Sequence, residues 1–120
     1  YTSVQDTNEL FDSVHSNFKI NWNEVGSRAE NCSYEAMDTI IAIGEGIIRN
    51  GGVDTEIYLS KIEVLMARWN DNRLSLYLSQ CSKNEIQAFR KVFDALLDDD
   101  QEIIEYYNTF YPQTCTFLIQ

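Results

Sequence analysis

The sequence predicts an all-α domain: a compact bundle of four to five antiparallel helices, closed by a disulfide-tethered C-terminal tail. Apolar residues recur at steps of three and four almost throughout, the period of an amphipathic helix. One proline and five glycines leave too little punctuation for the turns of an all-β chain. Cap residues stand in front of several periodic stretches. With 120 residues and 44% of them hydrophobic, the chain is read as one domain spanning 1–120, since two halves would each be too small to hold a core unaided.

The first predicted helix opens near Asp6 or Asn8, carries Leu10, Phe11, Val14 and Phe18 on one stripe, and fades around Ile20. Trp22 and Val25 follow in a connecting segment or a loosened extension. Ser33 caps the second helix, with Glu35 in its first turn, where the helix dipole favours negative charge. Met37, Ile40, Ile41, Gly44, Ile47 and Ile48 form its inner face, and Asn50-Gly51-Gly52 stops it, because glycine accepts the left-handed conformation beyond a helix end. Asp54 is expected to cap the third helix, whose stripe runs Ile57, Tyr58, Ile62, Leu65, Met66 and Trp69. An irregularity is expected at Asn70-Asp71-Asn72, before Leu74, Leu76, Tyr77 and Leu78 resume the helix to about Gln80.

Ser82-Lys83-Asn84-Glu85 has the pattern of a capping box, in which the serine and glutamate satisfy each other's exposed amides. The fourth helix follows, with Ile86, Phe89, Val92, Phe93, Leu96 and Leu97 inward. Asp98-Asp99-Asp100 ends it and supplies the negative N-terminus of a fifth, lined by Ile103, Ile104, Tyr107, Phe110 and Tyr111 and closed by Pro112. Residues 113–120 are expected to form a tail.

Cys32, Cys81 and Cys115 allow one disulfide and one thiol. Alternating up-and-down helices would bring all three to one end of the bundle. Cys81 with Cys115, or Cys32 with Cys115, would then tie the tail down, a constraint contributing roughly 3–4 kcal/mol. Three reduced cysteines in a cytosolic bundle are the alternative. A chain that starts at Tyr1 is expected of a processed, secreted protein. Asn31-Cys32-Ser33 matches the N-glycosylation pattern, weakly, because a bridged cysteine in the middle makes a poor acceptor.

The acidic excess, 19 Asp and Glu against 9 Lys and Arg for a net charge of −10, disfavours binding to nucleic acid and to anionic membrane surfaces, both of which call for a basic face. A basic protein patch is the natural counterpart. Catalytic and metal-binding chemistry finds little to stand on. His15 is the single histidine and lacks partners for a triad or a zinc site. Gly44-Glu45-Gly46 departs from a dinucleotide fingerprint, because Arg49 stands where a third glycine is needed and no strand precedes it, so close helix packing is the better explanation. Neither Asp98-Asp99-Asp100 with Glu102 nor Asn70-Asp71-Asn72 has the ligand spacing or glycine of a calcium loop. The chain therefore reads as a binder without cofactor, metal or catalytic activity.

Tyr106, Tyr107, Phe110, Tyr111 and Phe117 crowd the C-terminal end. A helix buries one stripe, so adjacent Tyr106 and Tyr107 cannot both face inward. The expected division puts Tyr107 and Phe110 inside, and Tyr106 and Tyr111 outside. Exposed tyrosines beside the acids Asp98, Asp99 and Asp100 then form the candidate partner-binding surface.

The opener Glu9-Leu10-Phe11-Asp12-Ser13-Val14, the helical middle and the cysteine-bearing Thr114-Cys115-Thr116-Phe117 together resemble the albicin and anophensin family of anopheline mosquito salivary proteins. The resemblance implies a secreted inhibitor of host plasma defence. Such a protein blocks the alternative complement pathway at the C3b/factor B convertase, with or without properdin, or the factor XII and kininogen contact system. Homodimer formation would add avidity. Two further classes fit the residues alone: a helical carrier of small apolar ligands with its pocket between the second, third and fourth predicted helices, and a bacterial toxin-immunity protein.

Overall fold

A computed structural model describes residues 22–119, which form six helices and no strand. They are α1 (Trp22–Glu30), α2 (Tyr34–Asn50), α3 (Gly52–Gln80), α4 (Lys83–Leu97), α5 (Gln101–Phe110) and α6 (Pro112–Leu118). The all-helical architecture is the one the periodicity predicts. The helix expected between Asp6 and Ile20, with His15 on it, lies outside the described residues.

Two stretches read as irregular are regular helices. The segment around Val25 belongs to α1, whose buried side chains, Val25 and Ala29, are one turn apart. Two small residues make too narrow a stripe to register as a period. The tail expected from residue 113 is mostly α6, with Pro112 at its first position, where a missing amide costs nothing.

The predicted boundaries hold where a cap is local. Ser33 accepts the Ala36 amide at 3.3 Å. The box at α4 is complete: the Ser82 amide donates to Glu85 Oε1 at 2.8 Å and the Glu85 amide to Ser82 Oγ at 3.2 Å. Gly51 closes α2 at φ +67°, a conformation open to glycine at little cost. α3 differs: it starts at Gly52 on a Gly51 cap, so Asp54 sits in its first turn and not at its cap.

The core lies where α2, α3 and α4 meet. Trp69, Tyr58, Phe89, Phe93, Met37 and Ile40 are among its largest fully buried side chains, each contributing roughly 1.5–3 kcal/mol by leaving water. Its buried polar ends are satisfied: Tyr58 Oη donates to the Ile40 carbonyl at 2.7 Å, and Trp69 Nε1 to the Ala29 carbonyl at 2.7 Å. Gly44 makes the first of these crossings possible, since a Cβ there would run into the Tyr58 hydroxyl and a Val92 methyl. The glycine of the Gly44-Glu45-Gly46 run that faces α3 and α4 is thus a packing residue. Between α2, α3 and α4, where a carrier's pocket was expected, an opening of about 170 Å³ remains, lined by Asp38, Ile41, Tyr77 and Ala88 among others.

Inside α3, Asn70 leaves the helical region at φ 60°, ψ 176°, and its Oδ1 accepts the Arg73 amide at 3.2 Å, so that it caps the second half of the helix. This break turns Asp71 toward α6, whose first turn has no cap of its own. Asp71 accepts the Thr114 amide at 2.8 Å and the Gln113 amide at 3.2 Å, while Gln113 Nε2 donates to Asn72 Oδ1 at 2.8 Å. Arg90 Nη2 donates to the Phe117 carbonyl at 3.2 Å near the other end of α6.

These contacts hold the C-terminal segment where a disulfide was expected. Cys32, Cys81 and Cys115 are all thiols, and each has a different neighbour. Cys115 Sγ lies 3.5 Å from the Tyr107 carbonyl, Cys81 Sγ 3.3 Å from the Tyr77 carbonyl, and Cys32 Sγ accepts from Arg73 Nη1 at 3.4 Å. Thr114 is fixed beside Asp71, whereas Cys81 lies past the far end of the same helix, about 15 Å further along its axis. The expectation of one shared end fails for Cys81, because the chain reaches α6 at the level of the α3 break.

Candidate functional site

Among the described residues, Phe110 of α5 is the most exposed of the large apolar side chains. The helix is ten residues long, and among its side chains only Tyr107 is fully buried. Asp100 caps it by accepting the amides of Glu102 and Ile103, while Asp98 and Asp99 make the left-handed turn before it, with φ 50° and 53°. The three aspartates are exposed and act first as helix punctuation.

Tyr107 packs edge-on against Phe93, with centroids 5.2 Å apart, and Tyr111 lies 5.1 Å from Tyr107. Tyr106 is 50% exposed and Phe110 62% exposed, and their rings sit 4.9 Å apart. The expected division is thus half corrected: Tyr107 is inside and Tyr106 outside, but Phe110 is outside and Tyr111 is buried. Spacing explains it. Residues 106 and 110 are one turn apart, as are 107 and 111, so each pair shares a face and only one face meets the core. That signal was present in the sequence.

Phe110 stands ten residues, about 15 Å, along α5 from Asp100, and Tyr106 six residues, about 9 Å. Two other acids lie nearer, of which sequence reasoning weighed only Glu102, and that as part of a cation site. Glu63 of α3 and Glu102 of α5 line a solvent-open cavity of about 580 Å³ together with Ala67, Ile103, Tyr106, Tyr107 and Tyr111. Burial, and next the Glu63 carboxylate, push the Tyr107 hydroxyl above its ordinary pKa. Burial likewise raises Tyr111, with Tyr106 and Asp71 adding to it. Both phenols therefore remain hydrogen-bond donors through the physiological range.

Cys81 and Cys115 are not arranged for reactivity. Burial pushes the Cys115 thiol up to about 11 and raises Cys81 as well, so neither is activated as a nucleophile. One thiol and two carboxylates, Cys81, Asp38 and Glu85, do converge closely enough to share an ion. Each already has a protein partner: Asp38 accepts from Tyr77 Oη at 2.5 Å, Glu85 accepts the Ser82 amide, and Cys81 faces the Tyr77 carbonyl. Asn31 is exposed and donates through Nδ2 to the Ser27 carbonyl at 3.0 Å. No helix of the described residues is long and apolar enough to cross a membrane.

Fold and surface together define a small all-helical domain that presents an aromatic pair beside an acid-rimmed cavity. Comparison with protein-family models, with curated proteins and with solved structures finds no match.

Proposed function

We propose that this protein works by stoichiometric binding to another protein, with Tyr106 and Phe110 as the centre of the contact. Following its resemblance to the albicin and anophensin salivary proteins, its target is the alternative-pathway C3 convertase of host plasma, which it meets as a secreted inhibitor. One observation carries the binding role: two large aromatic rings in mutual contact are left in water on a helix that buries a third. Tyrosine and phenylalanine are enriched at the centres of protein interfaces, and a net charge of −10 favours a basic partner.

The test is capture from complement-activated serum on the immobilised protein, in parallel with a Tyr106→Ala/Phe110→Ala variant of unchanged melting temperature. Recovery of C3b, factor B or properdin by the wild type, lost in the variant, is the expected result. Factor XII or kininogen would move the target to contact activation. Equal recovery by both proteins would reject the aromatic pair, and recovery of nothing above a helical control would reject the plasma target.

A second reading, neutralisation of a basic bacterial toxin, is favoured by the three thiols, which suit a reducing cytosol. An intact mass showing a disulfide in the protein from its native source would end that reading.

A further inference from the structure

We propose that the cavity between α3 and α5 receives a guanidinium group, carried by an arginine side chain of the protein partner. The proposal rests on the reading of the protein as a binder and specifies what that surface takes. Glu63 and Glu102 reach the cavity from two different helices, and no Lys, Arg or His lines it. Among the described residues neither carboxylate is held in a salt bridge, in contrast to Glu45 on α2, which Arg49 and Lys91 both approach. Among the described residues, no cation is thus committed to the acids of the cavity.

The remaining walls suit a flat cation. The rings of Tyr106 and Tyr107 stand at 90° with centroids 5.2 Å apart, and Tyr111 is tilted by 45° to Tyr107. Ring faces are therefore presented in more than one direction, and a guanidinium can stack on one while its fork of donors meets a carboxylate. A lysine ammonium is more strongly hydrated and has no planar face to stack, so it gains less here. An apolar ligand would strip water from two carboxylates and three phenols without replacing their hydrogen bonds. At about 580 Å³ the cavity has room for a long side chain with some of its flanking backbone. Tyr106 belongs both to the cavity and to the exposed pair with Phe110, so one partner segment can cover Phe110 and place its arginine between the acids.

The experiment is a titration of the full chain with N-acetyl-arginine methylamide, followed by NMR of the tyrosine rings. The neutral citrulline analogue and the lysine analogue are titrated in parallel. Saturable millimolar binding is expected for arginine, about tenfold weaker for citrulline and a few-fold weaker for lysine. A Glu63→Gln/Glu102→Gln variant, changed only at exposed positions, should bind arginine at least about fivefold more weakly, with its circular dichroism unaltered. Glu56→Gln, outside the cavity, should bind like the wild type. Citrulline binding as tightly as arginine, or the double variant binding unchanged, would overturn the proposal, and tighter binding of lysine would overturn the guanidinium assignment. Arginine binding together with an empty serum capture would support the cavity's chemistry while rejecting the plasma target. Serum capture without arginine binding would do the reverse.

Discussion

In the first half of α3, Tyr58 reaches past Gly44 to a carbonyl of α2; in the second half, Asp71 accepts the leading amides of α6. Both contacts join α3 to another helix, the first to its neighbour in the chain and the second to one more than forty residues on, but they rely on different physics. The first is a buried crossing in which a side chain would not fit, so its strength lies in packing and in one desolvated hydrogen bond. The second is a partly exposed carboxylate that acts as a cap lent from another helix. A packed crossing fails when atoms are added, and a lent cap fails when one is removed.

The largest effect is expected at the crossing. Gly44→Ala should cost about 1–3 kcal/mol by overpacking, read as a lower urea midpoint at unchanged m-value. Combining it with Tyr58→Phe, which removes the hydroxyl that the new methyl meets, should be less damaging than the sum of the two changes. Strict additivity would place the clash elsewhere.

Asp71→Ala should cost about 1–2 kcal/mol, with the loss concentrated in α6. Amide exchange at Gln113 and Thr114 should speed up more than at Phe89 or Val92. Uniform acceleration would mean that α6 is not separately held and would erase the contrast. Asp71→Asn keeps an acceptor and should restore most of the protection.

Ser82→Ala removes a cap of the ordinary local kind and should cost about 1 kcal/mol. Its partner gives a pH signature. The Ser82 amide holds the Glu85 carboxyl below the usual carboxylate range. A folded-state pKa lowered in this way supplies stability that is present above the unfolded value and lost as pH falls through the folded one. Between about pH 5 and pH 3, therefore, the wild type should lose stability more steeply than Glu85→Gln. Equal slopes would remove Glu85 from the box.

The smallest effect on stability is expected at the surface: Phe110→Ala should change it by less than about 0.5 kcal/mol. A larger loss would show that this ring supports the fold and would count against its role as a contact.

The same contrast separates what the sequence made legible from what it did not. Ser33, Ser82 with Glu85, Gly51, Asp100 and the break at Asn70 were readable, because each acts on amides or dihedrals within a few residues of itself. The core stripes of α2 and α4 were readable for a related reason, since helix period alone selects them. The role of Asp71 was not, because its acceptors serve amides more than forty residues away, and nothing near it in the chain announces them. The same distance misled the cysteine argument, which assumed a simple up-and-down course. Glu63 was missed, and Glu102 was grouped with the aspartate run, because each looks like a solvated helix residue until α3 and α5 are placed side by side. Tyr111 was misplaced where the spacing had in fact been sufficient.

The indole of Trp69 is an optical gauge built into the joint between α1 and α3. It is fully buried, stacked on Tyr34 at 5.7 Å and flanked by Tyr77 at 5.5 Å, with its N–H committed to a carbonyl of the last turn but one residue of α1. Emission from such a site is blue, and water reaching the N–H would redden it. In a Trp22→Phe background, which leaves Trp69 as the sole indole, lifting α1 away would thus change the colour of the fluorescence while most of the helical dichroism persisted, so the docking of that short helix can be followed apart from the melting of the whole.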